Sequence, residues 1–294
     1  MADIISLIKE LREITGAGMM DCKKALVESN MDLKAAQEWL KEKGVLKAAK
    51  KADRVAAEGL SLVYHAKDGL TALLVEVNCE TDFVSRGEPF RELVDQTASI
   101  LLDKRPASLE EALALTTNLY TDATVKIGEK LSLRRFAMLT KTSSQFFGEY
   151  IHMNGVVSSL VVVEGGDTTF AEQLAMHITD RNPQYVSLDA IDPQLIADEK
   201  AKQQALVASD EKLAGKPANI IEKIIEGKVN TLFKEQSLDA QPFMMAENEE
   251  PVKVFLSKHK ARVVNFARFK VGEGIEKKVV DFASEVQAQV KNTQ

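Results

Sequence analysis

Apolar positions along the chain follow two periods, and the switch between them divides it into regions. Ile4, Leu7, Ile8, Leu11 and Ile14 are spaced for one face of a helix. Thr15-Gly16-Ala17-Gly18 then interrupts, because paired glycines free the backbone and weaken a helix. Cys22, Ala25 and Leu26 form a second apolar face. Asn30 is placed to end that helix and Asp32 to cap the next. Leu33, Ala36, Trp39 and Leu40 form a third face, which Gly44 is expected to stop. Residues 3–44 thus read as a small three-helix domain with a marginal core. The Ala- and Lys-rich stretch 45–58 reads as a helical or frayed linker.

From residue 60 the pattern turns to short apolar runs. Leu60 to Tyr64 is a predicted strand, Lys67-Asp68-Gly69 a turn and Leu73 to Val77 the returning strand. Pro89 opens a helix with Phe90, Leu93, Val94 and Thr97 on one side, and Leu109 to Leu119 suggests another. Leu131 to Leu139 reads as a third strand after the turn Ile127-Gly128-Glu129. The pattern then repeats. Glu149 to Met153 and Val156 to Val163 are strands joined at Asn154-Gly155, residues that tolerate positive φ. Gly165-Gly166 ends the second strand, and Phe170, Leu174, Ala175 and Ile178 make a helical stripe. VYHAKDGLTALLVEV has an echo in EYIHMNGVVSSLVVVEG. An α+β core of two similar halves is expected, each with helices against a small antiparallel sheet. The third strand of the second half is expected only at Ala261 to Phe269.

Residues 190–235 interrupt the second half. Ile196, Gln203 and Val207 form a thin seam, and Ile221, Ile224, Ile225, Val229 and Leu232 a clearer stripe. Broken at Gly215-Lys216-Pro217, they predict an antiparallel helical hairpin projecting from the core. Its seam serves either a partner or its own second helix. After Gly272-Glu273-Gly274-Ile275, a last amphipathic helix is expected over about 275–290, with Val279, Phe282 and Val286 on one face.

The stretch TALLVEVNCETDFV at 71–84 breaks its own pattern. A buried run ends in an acidic turn carrying Phe83. Either Phe83 plugs the end of the sheet, or the strand braces it as a rigid probe. Met19 and Met20 pose a similar choice, since both cannot point inward on so short a helix. Either Met19 packs and Met20 is incidental surface, or the two form an exposed patch for a partner, rimmed by Arg12 and Lys23.

Composition narrows the function. Apolar residues make up 45% of the 294, and no run is long enough to span a membrane. The first residues lack a basic start and a long apolar stretch, so no secretory signal is expected and the cytoplasm is the expected compartment. The net charge of −6 argues against a protein whose main task is gripping nucleic acid, although Lys47, Lys50, Lys51 and Arg54 make a local basic run. Cys22 reads as a small core residue, while Cys79 is open. The cysteines and the four histidines show no metal-ligand spacing, and no cofactor is expected. There is no phosphate loop, dinucleotide fingerprint or nucleophile elbow. His65 and His152 occupy matching places in the two hairpins, and His177 reads as a structural histidine. These signs favour a binding protein over an enzyme.

Three long stretches resemble one family: LREITGAGMMDCKKAL at 11–26, VEVNCETDFVSR at 75–86 and ARFKVGEGIEKKVVDFASEV at 267–286, with AMHI at 175–178 and QPF at 241–243 in support. The chain resembles translation elongation factor Ts, the guanine nucleotide exchange factor of bacterial elongation factor Tu. The resemblance implies an N-terminal three-helix (UBA-like) domain with linker over 1–54 and a core first subdomain over 55–140. It implies a second subdomain over 141–182 and 236–269, a helical hairpin (coiled-coil) insertion over 183–235 and a C-terminal helical module over 270–294. It further implies that Thr81, Asp82, Phe83 and Val84 enter the GTPase domain of elongation factor Tu and dislocate its Mg²⁺. Arg12, Met19, Met20 and Lys23 would contact the same domain, with Ile127 and Gly128 also among the contacts. His152, with Phe243, Met244 and Met245 near it in the fold, would meet the far domain. The family more often has a small aliphatic where Met244 stands, and Ile151 also departs from its pattern. A module that binds the GTPase, or acts on it like a chaperone, without releasing nucleotide is the alternative. Self-association, or a heterotetramer with the partner, stays open.

Overall fold

The computed structural model describes residues 4–209 and 217–276. The expected break at Gly215-Lys216 and nearly all of the expected C-terminal helix, with Val279, Phe282 and Val286, lie outside the described residues.

Helices α1 (Ile4–Thr15), α2 (Met19–Glu28) and α3 (Leu33–Lys50) enclose a small core of Ile8, Leu11, Cys22, Ala25, Leu26, Ala36 and Leu40. Gly18 caps α2, Asn30 takes the left-handed conformation after it, and the Asp32 carboxylate accepts the Ala35 N–H at 2.8 Å. Two expectations fail here. Ile14 is exposed. Gly44 does not stop α3, which runs on to Lys50. The reason lies on another helix, α6 (Leu109–Ile127). A Cβ on Gly44 would sit 2.5 Å from a Val125 methyl, so the missing side chain lets α3 lie directly on α6. That contact offsets the roughly 1 kcal/mol that glycine costs inside a helix.

The core is a mixed α+β structure with two small antiparallel sheets. Strands β1 (Glu58–His65), β2 (Thr71–Cys79) and β3 (Ser132–Thr140) form one in the order β1-β2-β3. Strands β4 (Gln145–His152), β5 (Val157–Glu164) and β6 (Arg262–Lys270) form the other in the order β4-β5-β6. The late third strand is therefore present. Strand β4 begins at Gln145, before the expected Glu149, and α6 runs beyond Leu119 to Ile127. The repeat reaches into the hydrogen bonding, with register slips at Glu76/Val77 in one sheet and Val162/Val163 in the other.

The sheets pack face to face through Ala72, Leu74, Leu139, Leu160 and Val162. Helices cover their outer faces. Leu73, Val75, Val77 and Cys79 meet α5 (Glu88–Lys104) and α6. Val161 and Val163 meet α7 (Thr168–Arg181) and α10 (Val252–Lys258). Both central strands are thus buried on two sides, which is why they read as continuous apolar runs rather than alternating ones. One charge interrupts β2. The Glu76 carboxylate is fully buried, taking Arg135 Nε at 2.6 Å, Arg134 Nη1 at 3.0 Å and the Gly272 N–H at 2.9 Å. It pins the turn after β6 to the first sheet.

Helices α8 (Pro193–Ala208) and α9 (Ala218–Gln236) pack together over Val207, Ile225, Val229 and Phe233, and Lys200 reaches Glu226 at 3.5 Å. Ile196 is exposed and Gln203 bonds Glu199 within α8, so the expected seam reduces to Val207. Phe233, rather than Leu232, carries the far end. Among the described residues no helix is long and apolar enough to cross a membrane.

Candidate functional site

The site is built where β2 leaves the sheet. After Cys79 the chain makes a single turn of helix, α4 (Asp82–Ser85), before Gly87 caps α5. Thr81 caps α4, its hydroxyl accepting the Val84 N–H at 3.4 Å. Val84 packs on the first core, and the Ser85 hydroxyl, buried, donates to the Asp82 carbonyl at 3.0 Å. Asp82 pairs with Arg86 at 2.9 Å. With those groups turned inward or tied to each other, Phe83 points outward and is 85% exposed. Of the two readings of this phenylalanine, the plug is excluded.

The loop beneath it is tied down from the far side of the subdomain. Glu129 lies just after α6, which ends at Gly128 in the left-handed conformation (φ +86°) that favours glycine. The Glu129 carboxylate accepts the Glu80 N–H at 2.9 Å, the Thr81 N–H at 3.1 Å and the Thr81 hydroxyl at 2.7 Å. Glu80 in turn accepts the Lys130 N–H at 2.6 Å and pairs with Arg54 at 3.2 Å. Lys130 donates to the carbonyls of Ala52 and Arg54, and Lys51 to that of Gly128. Cys79 belongs to the same support. Burial, reinforced by the nearby Glu129 carboxylate, pushes its thiol pKa up to about 12, so it stays protonated and donates to the Thr81 carbonyl at 3.2 Å. Beside the tip an open groove of about 1590 Å³ reaches to Met153, Asn154 and the turn 270–274.

The other expected contact residues fall in three places. Met19 and Met20, 58% and 74% exposed, open α2, and Arg12 and Lys23 are exposed on α1 and α2. With Ile14, the α1–α2 turn holds three large apolar side chains in water, which rules out the inward packing of Met19. This turn is close to the second place. Gly16 lies against the Lys126 side chain near the end of α6, immediately before the pair Ile127-Gly128. Ile127 is half-buried against the first core and Gly128 is exposed.

The third place is in the second half. His152 is exposed at the end of β4, its ring stacked on Tyr150 at 5.9 Å. Met244 and Met245 are exposed. Phe243 is not a surface residue. It is 3% exposed and stacks on Phe255 with ring centroids 4.1 Å apart. The histidine that holds this segment is His177, not His152. It is fully buried, its Nδ1 accepts the Met244 N–H at 3.3 Å, and its Nε2 faces the Gln241 amide oxygen at 3.0 Å. That pairing selects the neutral imidazole with hydrogen on Nε2, and burial lowers its pKa accordingly.

The residues that residue-by-residue reading missed are Glu129, Glu80 and Lys130. Glu129 borders a recognised turn, but its partner Thr81 lies 48 positions earlier. No local periodicity carries that pairing.

Half-buried polar groups here hold one large aromatic in solvent, an arrangement suited to a protein that acts by contact with another macromolecule. A model of the family described as elongation factor TS matches residues 80–273, about two thirds of the chain. The chain belongs to the elongation factor Ts family.

Proposed function

We propose that this protein binds elongation factor Tu carrying GDP and promotes release of the nucleotide in the cytoplasm, by inserting the Asp82–Phe83 tip beside the partner's Mg²⁺ and phosphates. The observation that carries the reading is Phe83, 85% exposed on one helical turn clamped to a fully buried strand. Leaving a phenylalanine in water costs the free protein part of the roughly 2–3 kcal/mol that burial would return. A partner that covers it recovers that free energy.

Family membership supports the rest. Thr81 and Val84 hold the tip. Arg12, Met19, Met20 and Lys23 form a second contact with the GTPase domain, next to Ile127 and Gly128. His152, Met244 and Met245 meet another domain, with Phe243 anchoring the two methionines from beneath. The three-helix part is read as UBA-like, and α8 with α9 as an antiparallel coiled-coil hairpin. The units are 1–54, 55–140, 141–182 with 236–269, 183–235 and 270–294.

Release then follows from contacts alone. Mg²⁺ bridges phosphate oxygens to protein oxygens and neutralises much of their charge. Displacing its ligands, or the N–H groups that cradle the phosphates, weakens several charge-assisted contacts together. The factor must bind the empty GTPase more tightly than the loaded one, and by linkage the nucleotide weakens the factor's grip by the same ratio. No bond is made or broken.

The test follows fluorescent GDP leaving elongation factor Tu. Phe83→Ala is expected to slow stimulated release by about tenfold or more, an effect of the size found for interface hot spots, with melting unchanged. A native release rate in this variant refutes the reading. Tight binding by the wild type with no acceleration of release establishes the GTPase-binding or chaperone-like module instead.

A further inference from the structure

The proposed tip is only as useful as its aim, and one side chain sets the conformation of the loop that carries it. Resting on the exchange reading above, we propose that Glu129 is a positioning residue for exchange, holding the Thr81 turn so that Phe83 is presented in a single orientation.

Three donors converge on this one carboxylate: the N–H groups of Glu80 and Thr81 and the Thr81 hydroxyl, all within 3.1 Å. Those two N–H groups are the first that β2 leaves unpaired as it departs the sheet, since the last register pair of β2 with β1 is Cys79 with Glu58. Without Glu129 they would be half-buried with no acceptor, and the turn would adopt other conformations to reach water. Thr81 is also the cap of α4, so its hydroxyl is shared between Glu129 and the Val84 N–H. Releasing it frees the cap, and a helix of four residues has no stability of its own to fall back on.

Glu129 is itself well anchored. It follows the glycine that ends α6, Lys51 bonds the carbonyl before it, and Lys130 after it is bonded through both backbone and side chain. The three-helix part rests on the same end of α6, through Gly44 against Val125 and Gly16 against Lys126. The last turn of α6 and the residues 128–130 that follow it therefore lie next to both the three-helix part and the loop that carries Phe83. Glu129 touches no partner in this role. It acts through Thr81.

The test is a double-mutant cycle on stimulated GDP release at saturating factor, with Glu129→Ala, Phe83→Ala and the pair. Alanine removes every acceptor, whereas glutamine would keep the contacts, its amide oxygen taking the two N–H groups and its NH₂ donating to the Thr81 hydroxyl. Glu129→Ala is expected to slow release by about tenfold, the scale of a group displaced by a fraction of an ångström. In the Phe83→Ala background its effect is expected to shrink, because the ring it aims is gone. Amide exchange at Glu80 and Thr81 should quicken while that of Leu73 to Val77 stays native, a local readout that general instability would not produce. Native release by Glu129→Ala, or full additivity with Phe83→Ala, overturns the positioning role. If Glu129→Ala melts early, Glu129→Leu, which fills the volume without an acceptor, takes its place in the cycle with the same two outcomes. Phe83→Ala at the native rate overturns the exchange reading, and this role with it. Slow release by Phe83→Ala beside native release by Glu129→Ala overturns the positioning role alone.

Discussion

Each half of the core runs from a hairpin through a central strand to a helix, and in each helix the third residue is phenylalanine. Phe90 in α5 and Phe170 in α7 are both buried, 1% and 3% exposed. The slots behind them match as well: Val94 with Leu174, Thr97 with His177 and Ala98 with Ile178, every one buried. The halves differ in what joins strand to helix. In the second, Gly165-Gly166 leads straight to the cap Asp167, whose carboxylate takes the Phe170 N–H at 2.8 Å. In the first, residues 80–86 intervene, carrying α4 and Phe83. The repeat already has its core phenylalanine in Phe90. Phe83 is an addition that packing does not use.

The two phenylalanines should respond oppositely to truncation. Phe170→Ala removes a ring stacked on Phe255 at 4.9 Å and next to His259 at 4.6 Å, and should cost about 3–5 kcal/mol in urea unfolding. Phe83→Ala should leave stability within about 0.5 kcal/mol of native, since the ring already faces solvent. Equal losses for the two would end the distinction drawn between them.

The next largest difference is at Glu76, whose counterpart in the second half is Val162. Glu76→Val makes the halves alike but takes the shared acceptor from Arg134, Arg135 and the Gly272 N–H, leaving the two arginines only their contacts to Lys270 and Glu273. It should cost about 3 kcal/mol, the scale for breaking one side of a buried pair, and should loosen the turn 270–274 before the sheet. Hydrogen exchange at Gly272 and Glu273 against that at Val75 measures the order.

Acid gives the smallest separation. Thr97 bonds the Leu93 carbonyl at 2.7 Å and does not titrate, whereas His177 in the matching slot does. Burial depresses the His177 pKa below its ordinary 6.5, so in acid the unfolded chain binds a proton that the folded one refuses. Its contribution is complete above the unfolded value and is lost as pH falls from 6.5 toward the depressed one. Amides of α7 should therefore lose protection relative to those of α5 between pH 7.5 and 5.5, and His177→Asn should remove the difference. Parallel loss in both helices would show that His177 does not govern it.

Much of this architecture was legible from local pattern. Leu73 to Val77 announces a strand buried on both faces, and Asn154-Gly155 lies in a turn whose residues do take positive φ. The repeat is visible because each half must bury the same stripe between a sheet and a helix. The limits of such reading are equally specific. Gly44 looks like a terminator because an isolated helix is weakened by glycine. Phe83 looks the same whether it plugs or projects. Phe243 and Met244 are neighbours in sequence, and only the packing puts one in the core and the other at the surface.

By itself, the order of residues determined the kinds of element, their succession and the family, because periodicity, turn chemistry and long motifs are written within a few positions of each other. Only the folded chain decided that Phe83 stands in water, that α3 runs past Gly44, and that Glu129 grips Thr81. Those outcomes depend on surfaces and donors brought together from distant stretches, where exclusion of water makes each contact count.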